Sequence, residues 1–162
     1  MIINLQTGES HDVFFQQLTQ KDLKLFQIFK NKGWVFDWRA PMVEGFEVFA
    51  LCTHSQPKIA QGLIASRSND KPECNFIEVA NIESAPHNKY QHSERVFAGV
   101  GEHLMAYACK VSVQRGFDGF VQFKSKTTSI GFYEKIGAKH IGNLTMYFNE
   151  YGAATILQKC RV

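Results

Sequence analysis

The chain has 162 residues, enough for one domain that buries a core without disulfides or a metal. Hydrophobic residues make up 44% and charged residues 20%, the balance of a soluble globular protein. A net charge of +3 suits an anionic small molecule and lies far below the excess of a dedicated nucleic-acid binder, so no nucleic-acid partner is expected. No basic segment followed by an apolar run opens the sequence, and no window reaches membrane-spanning length. The expectation is a cytoplasmic protein with no membrane contact. Cys52, Cys74, Cys109 and Cys160 form no Cys-x-x-Cys pair, and adding the six histidines gives no metal-ligand spacing. No metal is expected, and Cys109 reads as a small core residue.

In chain order, residues 1–13 carry little signal. Phe15, Leu18, Leu23, Phe26 and Phe29 then fall at spacings that predict one or two short helices between Phe14 and Lys30, with Thr19 as a cap and Gly33 as a stop. The segment Gly33-Trp34-Val35-Phe36-Asp37-Trp38-Arg39-Ala40-Pro41 has two readings. It is a loop whose aromatics cap the core, or a substrate wall in which Asp37 attracts a cationic amine and Trp34 and Trp38 offer π faces. Strand-like runs follow at Phe46 to Thr53 and Ile59 to Arg67, joined by a hairpin turn at His54 to Lys58. Gly62 marks a bulge or a close backbone approach. Ser68 to Glu73 reads as a turn, and Phe76 to Glu83 alternates like a strand that ends at Ser84-Ala85-Pro86.

Beyond a polar loop running to Arg95, apolar residues recur at Phe97, Val100, Leu104, Ala108 and Val111, which is helical spacing closed by Gly116. Gly119 to Phe123 is a fifth short strand, Thr128 to Lys135 a second helix stopped by Gly137, and Ile141 to Leu157 an extended region punctuated by Gly142 and Gly152. No repeat or linker appears. The order predicts a mixed sheet with helices on both faces and a right-handed strand–helix–strand crossover. Strand, glycine turn and helix at 76–101 make either a plain tight turn or an anion site, in which N–H groups from about Val96 to Gly101 cradle a phosphate.

Three stretches resemble the GNAT family of acetyl-CoA-dependent N-acetyltransferases. Ile77 to Glu83 is similar to the family's central strand, and Gly99-Val100-Gly101 to its pyrophosphate loop. Gly131-Phe132-Tyr133-Glu134-Lys135-Ile136-Gly137-Ala138 is similar to its C-terminal signature. Glu83-Ser84-Ala85-Pro86-His87-Asn88 resembles a segment found in small bacterial members. The resemblance implies an α/β, single-domain GNAT-like fold over 1–162, with a mixed, mostly antiparallel central sheet flanked by helices on both faces and a coenzyme-binding core at about 76–140. It also implies acetyl-CoA as co-substrate, held by Ile82, Val96, Phe97, Ala98, Gly99, Val100, Gly101 and Ser125. The expected reaction is acetyl transfer to a primary amine of a small molecule or peptide by direct attack on the thioester, with a homodimer as an open possibility. The alternative is a catalytically idle acyl-CoA-binding module of the same fold.

A free alkyl amine has a pKa of about 10.4 and must lose a proton before it attacks. Glu83 is the candidate base, or else a solvated or salt-bridged strand-end carboxylate. Tyr133 resembles the family's general acid, or packs its helix onto the sheet. A backbone N–H near Ile82 would meet the oxyanion, and Ser125 or Ser129 would assist the acid. His87 and His92 fall in a polar loop and read as solvated, and His103 as facing solvent. No nucleophile elbow or Cys–His pairing is visible.

Overall fold

The computed structural model describes residues 1–162. Its elements run β1 (Ile2–Asn4), β2 (Ser10–His11), β3 (Val13–Leu18), α1 (Gln20–Leu25), α2 (Arg39–Val43), β4 (Glu47–Thr53), β5 (Gly62–Lys71), β6 (Cys74–Ser84), β7 (Phe97–Ala98), α3 (Val100–Gln114), β8 (Val121–Lys124), α4 (Ile130–Lys135), β9 (Lys139–His140), β10 (Thr145–Phe148) and α5 (Glu150–Lys159). Seven strands follow one another in the order β3-β4-β5-β6-β8-β10-β9. The chain forms two compact units, Met1–Ala65 with Asn81–Leu104, and Ser66–Ala80 with Met105–Val162. Strands β5 and β6 and helix α3 each pass from one unit into the other.

In the first unit β3 pairs antiparallel with β4 along its whole length, from Val13↔Thr53 to Leu18↔Val48. The helix expected from Phe14 therefore begins only at Gln20. Helical spacing is a weak local preference, and a six-residue ladder against β4 outweighs it. Thr19 is the cap, as its sequence context suggested. Its hydroxyl accepts the Asp22 N–H, while the Asp22 carboxylate accepts the Thr19 N–H at 2.7 Å, a reciprocal box. Beneath these elements, Leu18, Leu23, Ile28, Trp34, Trp38 and Phe46 pack with Val48, Ala50 and Leu63 into one apolar core. A small separate sheet, β2-β1-β7, ties the N-terminal strand to the segment just before α3.

β5 and β6 are neighbours joined by Pro72-Glu73 alone, so they are antiparallel and the turn is shorter than the polar run Ser68 to Glu73 suggested. In the second unit β6 runs parallel to β8 (Ile77↔Val121 to Val79↔Phe123), and β10 runs antiparallel to both β8 and β9. The sheet is mixed and mostly antiparallel, as expected. The C-terminal region is not extended throughout, because residues from Glu150 form helix α5. Asn149 caps it, accepting the Gly152 N–H at 2.9 Å. Gly152 looked like punctuation but lies inside the helix, where a Cβ would run into the carbonyl oxygen of Gly137. Its role is close approach of two backbones, which one-dimensional spacing cannot distinguish from a stop.

Candidate functional site

The site is built from the turn at which β7 gives way to α3. Gly99 sits at φ +87°, a left-handed conformation that turns the strand directly into the helix. The fifteen-residue helix that follows leaves its first N–H groups without helical acceptors at the positive end of its dipole. The His103 N–H is the first to close back, on the Gly99 carbonyl at 3.1 Å. The expected cradle is narrower than its sequence bounds. The Val96 N–H donates to the His87 carbonyl (3.0 Å) and the Phe97 N–H to the Asn88 side chain (2.9 Å), so neither can hold a phosphate. The Ala98 N–H is taken by the ladder with Ile3 in β1, so what stays available for an anion is the run from Gly99 through Gly101. The His103 ring is buried rather than solvent-facing, with Nδ1 2.7 Å from the Gly99 carbonyl, so it braces the turn from below.

β5 approaches this helix closely at Gly62. A Cβ there would lie 2.6 Å from Val100 Cγ1 and 3.2 Å from the Glu83 carbonyl, which settles the two readings of that glycine in favour of close approach.

Glu83, near the end of β6, is buried and surrounded by donors. One carboxylate oxygen accepts the Val35 N–H and the Lys89 ammonium, each at 2.6 Å. The other accepts the Phe36 N–H at 3.2 Å and the Trp38 indole N–H at 3.0 Å. Four donors fill the lone-pair positions a carboxylate has. This corrects the expectation of Glu83 as a base: to accept a proton it would have to abandon one of those bonds and its ion pair with Lys89. The geometry makes it the anchor of the 33–38 loop.

That loop separates two clefts in the first unit. A larger one, about 690 Å³, has Phe36, Asp37 and Trp38 in its wall and Lys21, Lys24, Lys30 and Arg39 around it. A second, about 500 Å³, is lined by Trp34, Pro86, His87 and His92, with Lys32 and Lys58. The three residues expected to make one acceptor wall are thus divided, Asp37 and Trp38 in one cleft and Trp34 in the other. Trp34 and Trp38 are only 6% and 2% exposed, so their faces serve mainly the core. Asp37 is exposed and its carboxylate accepts the Arg39 N–H at 3.0 Å.

The loop between β6 and β7 holds a feature that sequence reasoning missed. Gln61 and Asn88 are both buried, and Asn88 Nδ2 donates to the Gln61 side chain (2.9 Å) and main-chain carbonyl (3.0 Å). His87, read as solvated, is half-buried with Nε2 2.8 Å from Gln61 Oε1, and burial together with nearby His92 lowers its pKa. His92 itself is exposed, as expected. The Pro86-His87-Asn88 segment signals a turn, but nothing in the sequence pairs it with Gln61.

In the second unit the Tyr133 ring packs on Phe123 (centroids 4.6 Å apart) and Phe132 (5.2 Å), and its hydroxyl makes no hydrogen bond within the protein. Burial raises its pKa to about 12, so the phenol keeps its proton across the physiological range. The Ser125 hydroxyl donates to the Lys126 carbonyl at 2.7 Å, closing its own loop. Ile82 lies in β6, one residue before Glu83. Cys109 is fully buried and burial pushes its thiol up, as its place in the apolar helix suggested. No group of histidine, cysteine or carboxylate side chains converges as a metal site would, and no helix is long and apolar enough to cross a membrane.

No protein-family model and no curated protein matches the chain. Solved structures do. AtaTR bound with AcCoA superposes with a TM-score of 0.59 over 90% of this chain and 98% of that one, at 13% identity. Naa50 of Arabidopsis thaliana, in complex with the bisubstrate analogue CoA-Ac-MVNAL, gives a TM-score of 0.54 over 83% and 95%, at 15% identity. AtaT complexed with acetyl-methionyl-tRNAfMet gives 0.58 over 90% and 99%, at 12% identity. A further structure with this fold is the AtaT–AtaR complex bound to DNA. Those two complexes overturn the expectation that nucleic acid is excluded. A mild net charge excludes only a fold-wide basic surface, not a local one, and proteins of this fold are seen with both tRNA and DNA. At these identities the likeness speaks for the fold, and with the strand order and the Gly99 turn above it, the chain has the GNAT fold.

Proposed function

We propose that this protein is an acetyl-CoA-dependent N-acetyltransferase that moves the acetyl group to a primary amine by direct attack on the thioester. The observation that carries the reading is the Gly99 turn at the head of α3, with free N–H groups from Gly99 to Gly101 where the coenzyme pyrophosphate would sit. The residues fit that group. The left-handed glycine lets the backbone approach closely, and a fifteen-residue helix supplies the dipole. Tyr133 is the candidate acid for the leaving thiolate, since its phenol is protonated and free of protein partners. The N–H of Ile82 is the candidate oxyanion donor.

For the acceptor, a nucleic-acid-borne amine is the class to test first. Proteins of this fold are seen with acetyl-methionyl-tRNAfMet, and cations line both clefts, Lys21, Lys24, Lys30 and Arg39 in the larger and Lys32 and Lys58 in the smaller, which His87 also lines. Two measurements test the proposal: calorimetric titration with acetyl-CoA, and thiol release with methionyl-tRNA as acceptor. Saturable acetyl-CoA binding together with acceptor-dependent thiol release supports it. Binding with no release from any amine refutes transfer and leaves an acyl-CoA-binding module.

A further inference from the structure

The buried cluster around Gln61 fixes the state of one imidazole, and the direction of its hydrogen bonds can be followed outward from the main chain. The Phe97 N–H is a donor without choice, so the Asn88 atom it meets at 2.9 Å is the side-chain oxygen. Asn88 therefore presents its NH₂ to Gln61, and the Gln61 atom that receives it at 2.9 Å is Oε1. That same oxygen lies 2.8 Å from His87 Nε2. An acceptor oxygen there requires Nε2 to carry the hydrogen. In a neutral ring Nδ1 is then left with its lone pair, and Nδ1 makes no hydrogen bond within the protein.

His87 lines the 500 Å³ cleft with Trp34 and Pro86. The groups around it disfavour a second proton on the ring. His92 stands on its own loop, and Lys32 and Lys58 line the same cleft from the 30–32 turn and the loop before β5. Lys89 holds Glu83, so the nearby carboxylate is already neutralised, and Arg95 donates to the Asn88 carbonyl at 3.0 Å. The cluster also leaves Gln61 Nε2 buried without a partner.

We infer that His87 Nδ1 is the base that takes the proton from the acceptor amine, and that the acceptor is an α-amine rather than an alkyl ε-amine; this rests on the acetyl-transfer reading. The proton leaves the amine nitrogen for Nδ1 as that nitrogen bonds the thioester carbonyl carbon and the C–S bond breaks. The thiolate keeps the electron pair and is protonated by an acid, and the imidazolium returns its proton to solvent. The choice of amine follows from matching. An α-ammonium group has a pKa of about 7.7–8.0 and an alkyl ammonium about 10.4, so a base held below the usual histidine range is matched far better to the first. Lysines on the cleft rim further favour an amine whose neighbour is anionic.

The test is His87→Gln, in which the glutamine amide can replace Nε2 as donor to Gln61 but offers no base. Thiol release is followed from pH 6 to 9 with methionyl-tRNA and with Nα-acetyl-lysinamide. Wild type should strongly prefer methionyl-tRNA. His87→Gln should lose about 10²-fold in rate near neutrality, regain rate as pH rises, and bind acetyl-CoA as wild type does. A variant with the rate and pH profile of wild type overturns the assignment, as does a wild type that uses both amines equally. The ring itself gives a reading that does not depend on the variant's folding. Nitrogen-15 shifts of wild-type His87 should show the neutral Nε2–H form at pH 7, and an imidazolium or Nδ1–H form there overturns the inference. A wild type that releases no thiol with any amine refutes acetyl transfer itself, and this inference falls with it, whereas release only with alkyl amines overturns this inference alone.

Discussion

Replacing Glu83 tests the central structural claim, that this carboxylate anchors the 33–38 loop. In Glu83→Gln one of the two oxygens becomes an NH₂ group. Whichever it is, two donors then face a donor: the Val35 N–H and the Lys89 ammonium on one side, or the Phe36 N–H and the Trp38 indole on the other. Each buried donor left without an acceptor costs about 1–3 kcal/mol, and removing one partner of a buried ion pair costs about 3–5 kcal/mol. Lys89 is 25% exposed and recovers part of its solvation, so the lower end applies, about 2–4 kcal/mol. In a chain of this length that lowers Tm by roughly 4–16 °C. The assay is urea unfolding followed by tryptophan emission. The chain's two tryptophans, Trp34 and Trp38, both sit in the anchored loop, so their emission reports on it directly. Glu83→Gln should show a lower midpoint and a red-shifted native emission. A loss below about 0.5 kcal/mol, the range of ordinary surface substitutions, with unshifted emission would refute the anchor and return Glu83 to candidacy as a base.

Three other outcomes are expected. Tyr133→Phe keeps the ring against Phe123 and removes only the hydroxyl, so turnover should fall about 10²-fold with acetyl-CoA affinity unchanged; full activity would move the acid role elsewhere. With the phenol held near pKa 12, loss of the acid should not limit the wild-type rate up to about pH 10, and an alkaline fall below that would contradict the assignment. Gly99→Val forces a β-branched residue to φ +87° and should weaken acetyl-CoA binding about tenfold or more in calorimetry, and unchanged affinity would remove the coenzyme from this turn. Gly62→Ala drives a methyl to within 2.6 Å of Val100 and should cost about 1–3 kcal/mol in denaturant unfolding, whereas a neutral effect would mean that β5 and α3 separate easily there.

Much of the architecture lies in local signals that the sequence carries openly. The alternation of Phe76 to Glu83, the 3–4 spacing from Val100 to Val111 and the stop at Gly116 each depend on neighbouring residues alone, and the structure keeps all of them. Thr19 as a helix cap is a local signal of the same kind, and it too is kept. The strand from Val13, the helix from Glu150 and the fate of Gly152 were not legible. Pairing with β4 and the approach of Gly137 come from residues about 15 to 40 positions away.

The same division runs through the candidate site. A glycine turn before an amphipathic helix announces an anion site in one dimension, because dipole and free N–H groups follow from helix geometry itself. Which of those groups are free does not follow: Asn88 and His87 take the Phe97 and Val96 donors, and only the folded loop brings them there. Composition and spacing mark Glu83 and His87 as titratable and nothing more. Three of the four donors on the Glu83 carboxylate lie 45 to 48 residues from it, and Gln61, which pins the hydrogen of the His87 imidazole, lies 26 residues from that ring, so both arrangements are products of tertiary contact. An acid or base is chosen by the partners that surround its atoms, and those partners are assembled only when distant segments of the chain meet.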